Sequence, residues 1–171
     1  MKANRKASEI IHQRVLPEHK RMLAALTNLT NSRTETAFLT GLLEATARKQ
    51  MVVGCLGEIS LPEALEFCEK AETTVQKLLR TFFVAPAALG RKERYIAQTI
   101  MENPLYFAGS DPIFTEDEQY SPTIRTRVSP VDISKIESHL QVLADYFVFM
   151  SNNEKMRMTY VEYRKRTGES D

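Results

Sequence analysis

Cysteine is scarce in this chain. Cys55 and Cys68 are the only two in 171 residues, and neither has a CxxC partner or a histidine at ligand spacing. A disulfide framework and a zinc module are therefore not the expected architecture, and both thiols read as reduced core residues. The three histidines, His12, His19 and His139, lie far apart in sequence, so no metal site is expected. GxGxxG, GxxxxGK followed by Ser or Thr, GxSxG and HExxH are all missing, which removes the common nucleotide-binding and hydrolase layouts. No catalytic residue and no cofactor is assigned, and the chain is not expected to be an enzyme. Long apolar runs are missing as well. The start is basic, Met-Lys-Ala-Asn-Arg-Lys, but residues 7–16 are broken by Glu9, His12 and Arg14. Neither a signal peptide nor a membrane span is expected, and the cytoplasm is the expected location, with no membrane partner.

What is present suffices for a folded core. The chain is 43% hydrophobic and 26% charged, too apolar for disorder and of a length for one compact domain or one with a small appendage. The net charge of +1 hides an asymmetry. Residues 1–50 carry nine Lys/Arg against four Glu, a net +5, which leaves −4 for the rest. A basic end on a near-neutral chain suits contact with a polyanion at one place or, equally, a solvated helix face.

Helical periodicity dominates. Pro17 opens a helix with Met22, Leu23, Leu26 and Leu29 on one stripe, and Ser32 with Glu35 has capping-box spacing for a second helix carrying Phe38, Leu39, Leu42 and Leu43. Residues 51–59 are a buried connector or a short strand. Ser60 and Glu63 form a second capping box, and apolar spacing from Leu61 to Phe82 predicts one helix of about six turns. A shorter helix is predicted at 91–102. Four of the seven prolines fall between Pro104 and Pro130, together with the acids Glu116, Asp117 and Glu118. These acids lack calcium-loop spacing, and the stretch 104–122 reads as a surface loop or linker. Residues 1–103 would then be a helical core domain with a basic N-terminus, and 123–171 a strand-helix-helix module, unless the whole forms one compact unit. Ile136, Leu140, Leu143, Phe147 and Met150 form a narrow seam of the kind that pairs helices between chains.

The segment 123–130, Thr-Ile-Arg-Thr-Arg-Val-Ser-Pro, alternates. As a strand it puts Thr123, Arg125 and Arg127 on one face and Ile124, Thr126 and Val128 on the other. Ser129, Pro130 and Asp132 read as N-cap, first helical residue and N3 acid, and residues 151–153 as the cap of a last helix bearing Tyr160 and Tyr163. A strand, a helix, a polar turn and a second helix over 123–166 resembles the ribbon-helix-helix DNA-binding regulators. The resemblance implies two chains pairing strands into an antiparallel ribbon that enters the major groove. It implies base reading by Thr123, Arg125 and Arg127, and phosphate contact by Asn152 and Asn153 at the start of the second helix. The first helix is nearly two turns longer than that family uses.

A second stretch resembles the same family. His12 to Pro17, the helix to Leu29, the Asn31-Ser32-Arg33 turn and the helix to Arg48 fit its helix lengths better, and this stretch coincides with the basic segment. Its strand alternates less cleanly. Here Gln13 and Arg14 would read bases, with Lys2, Arg5, Lys6, Ser32 and Arg33 on phosphates. The later ribbon is preferred for its alternation, and both stand. The expected fold is mainly α with a short β-ribbon, a ribbon-helix-helix element plus a helical remainder. The expected function is a dimeric, sequence-specific regulator that binds double-stranded DNA. The resemblance extends to plasmid, phage and conjugation regulators, those of the AcaB type among them. The alternative is an all-helical interaction or inhibitor protein acting through the 133–150 seam.

Overall fold

The computed structural model describes residues 16–115 and 128–168. The chain divides into two compact units, one ending at Thr46 and one beginning at Ala47. Among the described residues it is mainly helical, with seven α-helices and one two-stranded antiparallel sheet.

The first unit is a helical hairpin. Helix α1 spans Pro17–Leu29 and α2 spans Glu35–Ala47. Proline at the first position of α1 loses no intrahelical bond, because that N–H has no partner in any helix. Helix α1 ends in a Schellman motif. Asn31 takes the left-handed conformation at φ +53°, Asn31 N–H donates to Asn28 O at 3.2 Å and Ser32 N–H to Thr27 O at 3.0 Å. The cap of α2 is Thr34, not Ser32. Its Oγ1 accepts from Ala37 N–H at 3.0 Å, while the Ser32 hydroxyl lies 3.0 Å from that of Thr30.

The second unit holds the core. Strands β1 (Met51–Gly54) and β2 (Gly57–Ser60) form a hairpin, so the 51–59 stretch is strand. Gly54 is required by close approach, since a Cβ there would lie 2.1 Å from the Val84 carbonyl oxygen. The predicted six-turn helix is two helices, α3 (Leu61–Glu69) and α4 (Thr74–Val84). Thr73 breaks it by accepting from Gln76 N–H at 3.0 Å, yet both pieces bury residues in one core, which is why the apolar spacing ran through. The Ser60–Glu63 box is present, with Glu63 Oε2 accepting from Ser60 N–H at 3.1 Å and from its hydroxyl at 2.6 Å. A 3-10 turn at Pro86–Ala88 leads into α5 (Arg91–Glu102), whose bounds match the predicted ones.

Residues 104–115 are not a detached linker. Phe107, Ile113 and Phe114 are fully buried: Phe107 packs on His139 and Tyr160, and α4 anchors the backbone beside the other two. Gln76 Nε2 donates to Pro112 O at 3.0 Å, and the buried Arg80 Nε to Ile113 O at 2.8 Å. Short strand β3 (Ala108–Asp111) bridges Val131, and Asp111 Oδ2 accepts from Ile133 N–H at 2.9 Å. Helix α6 (Ile133–Asn152) begins later than expected. Asp132 is its N-cap, accepting from Lys135 N–H at 2.8 Å, so Ser129 and Pro130 precede the helix. Helix α7 (Tyr160–Thr167) is capped by Thr159. Residues from both sides of the 104–122 stretch share this one core.

Candidate nucleic-acid interface

The α1–α2 hairpin carries apolar residues that it does not bury. Met22, Leu26 and Leu29 repeat at four- and three-residue steps on α1, and Leu39, Leu42 and Leu43 lie on α2. All six are exposed, Leu29 by 80% and Leu43 by 67%. Thr27, its hydroxyl turned back to Leu23 O at 2.8 Å, is the one buried residue described between Leu16 and Thr46. Propensity alone rarely sustains helices of 13 residues in water. Such stripes are the signature of helices completed by an apolar partner. At the tip of the hairpin the exposed Arg33 precedes the Thr34 cap, so a cation and the orphan N–H groups of the first turn of α2 occur together. Of the phosphate candidates in this half, Ser32 and Arg33 are thus in the interhelical turn. Lys2, Arg5, Lys6, Gln13 and Arg14 lie outside the described residues.

The later ribbon-helix-helix reading loses its phosphate pair. Thr123, Arg125 and Arg127 lie outside the described residues. Asn152 and Asn153 do not begin a helix. Asn152 is the last residue of α6, and Asn153 is its C-cap, with Nδ2 donating to Phe149 O at 2.8 Å. The C-terminal end of a helix presents carbonyls and partial negative charge, which repel phosphate. The proposed seam also turns inward. Ile136 and Leu143 are 0% exposed inside this chain, and Leu140 and Met150 pack against the same core. Phe147 packs a tilted ring against Tyr95 of α5, ring centroids 5.4 Å apart. The period that suggested pairing between chains is used by α6 against α4 and α5.

A polar network went unseen in the sequence, because its members are 106, 139, 160 and 164. His139 Nε2 is 3.1 Å from the Tyr106 hydroxyl and Nδ1 is 2.9 Å from that of Tyr160. Arg164 donates to the Tyr106 oxygen, and the Lys135 ammonium sits 3.9 Å from the centre of the Tyr106 ring. A neutral imidazole carrying its proton on Nδ1 satisfies this chain, since Tyr106 then donates to Nε2 and Tyr160 accepts. The network ties α6 and α7 to the 103–107 loop. Among the described residues no group of His, Cys, Asp and Glu is placed to hold a metal ion, and no helix is long and apolar enough to cross a membrane. Cys55 and Cys68 are buried and free. Burial pushes the Cys55 thiol up to about 11 and raises Cys68 as well. No protein-family model, curated protein or solved structure matches the chain.

Proposed function

We propose that this protein is a dimeric, sequence-specific DNA-binding regulator whose reading element is N-terminal, with the segment before Pro17 as ribbon and α1–α2 as the helix pair. The observation that carries this reading is the α1–α2 hairpin itself: two 13-residue helices joined by a short capped turn, with both apolar stripes exposed. Two copies that share a ribbon would cover those stripes with each other. The excess of cations in residues 1–50 supports a polyanionic partner for this end. In this arrangement Gln13 and Arg14 read base edges, and Ser32 and Arg33 hold phosphate at the start of α2. Residues 47–168 serve as a self-contained body for assembly or regulation.

The test is a selection of duplex DNA from a random pool by the full chain, followed by gel shift. Gln13→Ala with Arg14→Ala is expected to erase preference for the selected sequence while leaving non-specific affinity, a discrimination of about 1–3 kcal/mol for each lost bidentate contact. Arg33→Ala is expected to weaken all sequences alike and to lower the slope of log K against log salt by about one. No retention of any duplex at low salt would overturn the reading. The exposed leucines also favour a second reading, an interaction protein that uses α1–α2, and not the buried 133–150 seam, to grip a partner helix. That reading takes over if the chain stays monomeric and binds no DNA.

A further inference from the structure

The C-terminal end of α5, the middle of α6 and the approach to α7 enclose a cavity of about 320 Å³, walled by Thr99, Glu102, Asn103, Tyr146, Met158 and Tyr160 among others. Most of its donors are already committed. The Asn103 amide N–H donates to Thr99 O at 2.8 Å, the Thr99 hydroxyl to Tyr95 O at 2.9 Å, and the Tyr146 hydroxyl to Met158 O at 2.5 Å. What remains in the wall is acceptors and rings. One oxygen of Glu102 accepts from Gln98 Nε2 at 2.7 Å, and its other oxygen and Asn103 Oδ1 have no hydrogen bond among the described residues. The carbonyl end of α5 adds partial negative charge. None of the residues lining the cavity is Lys, Arg or His.

The charges nearest the cavity have the same sign. The Tyr146 phenol is pushed well above its usual value, by burial first and then by the neighbouring Tyr95 and the charges of Glu102 and Glu162. An anion here would meet the Glu102 carboxylate with no cationic side chain to receive it. A cation would meet a carboxylate, an amide oxygen and two tyrosine rings whose centroids are 5.6 Å apart.

We propose that this cavity is a binding site for a small organic ammonium ion, a primary amine on a short aliphatic stem, with Glu102 and Asn103 receiving the ammonium and Met158 and the tyrosines packing the stem. The size of the cavity, at the small end of ligand pockets, admits an alkylamine or short diamine and excludes a nucleotide. The site lies wholly within residues 47–168 and is independent of any DNA contact.

The test is calorimetric titration of the full chain at pH 7 with n-butylamine and putrescine, against n-butanol and butyrate. Saturable binding of the amines, at least tenfold tighter than of the alcohol and with none of butyrate, is expected. Glu102→Gln should weaken the amines tenfold or more. Glu102 is exposed, so the variant should keep the wild-type melting temperature. Gln98→Ala releases the second carboxylate oxygen without touching the wall and should tighten binding. Amines that fail to saturate, bind Glu102→Gln as well as the wild type, or bind Gln98→Ala more weakly would each overturn the proposal.

Discussion

The two units of this chain solve the burial problem differently. Residues 47–168 bury Leu79, Ile100, Ile136, Leu143 and Tyr160 almost completely, and even a charged side chain, Arg80, is carried inside on carbonyl hydrogen bonds. Residues 16–46 keep Leu29 and Leu43 mostly in water. A body with its own core needs no partner to fold, whereas a hairpin with two apolar stripes exposed would gain a core by association. On the proposed reading, the interaction chemistry of the molecule belongs where burial is unfinished.

The largest expected effect comes from breaking the finished core. Leu79→Ala should cost about 2–5 kcal/mol, lowering the denaturant midpoint equally at every protein concentration. Leu29→Ala with Leu43→Ala should leave that transition in place and instead shift the dimer–monomer balance toward monomer, read by sedimentation across a dilution series. A double variant that lowers the midpoint of the main transition as much as Leu79→Ala would erase the distinction between the units.

Thiol chemistry sharpens it. With Cys55 held at about 11 by burial and Cys68 also raised, almost no thiolate exists at pH 8 in the folded body. Labelling by a disulfide reagent should therefore follow unfolding. Leu79→Ala should accelerate it many-fold and the hairpin double variant should not. Prompt labelling of the native wild type would show that the core of the second unit opens readily.

Helix caps give a smaller contrast. Thr73→Ala removes the side chain that accepts from Gln76 N–H at the head of α4 and should cost about 0.5–2 kcal/mol in the main transition. Thr34→Ala removes the equivalent bond of α2, and its effect should be seen in the helicity and dimerisation of the hairpin. Equal effects of the two on the main transition would couple the units.

The sequence made some of this legible and hid the rest for physical reasons. Local chemistry was readable: Pro17 as a helix start, the Ser60–Glu63 box and the bounds of α5 all depend on residues a few positions apart. The break between α3 and α4 was hidden because a helix pair burying one core keeps the apolar spacing of a single helix. The 104–115 stretch is hidden because its prolines signal a loop, while the burial of Phe107, Ile113 and Phe114 involves His139, Tyr160, Gln76 and Arg80, each more than thirty residues from its partner there. The α6 seam has the pattern of an interface because periodicity reports an apolar face without naming what covers it. The cavity at the end of α5 has no linear signature, since its wall is drawn from positions 99 to 160.

The smallest expected effect is acid dependence, and it falls on one unit. Glu63 accepts from the Ser60 hydroxyl and N–H, and Glu162 from the Thr159 N–H and hydroxyl. These bonds hold both carboxyls below the usual glutamate range. A carboxyl depressed on folding contributes stability that is fully present above its unfolded value and is lost as pH falls through its folded value. Glu63→Gln with Glu162→Gln replaces each carboxylate by a neutral side chain of the same shape. The double variant should therefore melt slightly below the wild type at pH 7, and the gap should close as both are taken down through the carboxylate range. In the hairpin the cap of α2 is a hydroxyl, that of Thr34, so the gap should appear in the main transition alone. A gap of the same size at pH 3 and pH 7 would mean that shape, not charge, is what these two residues contribute to α3 and α7.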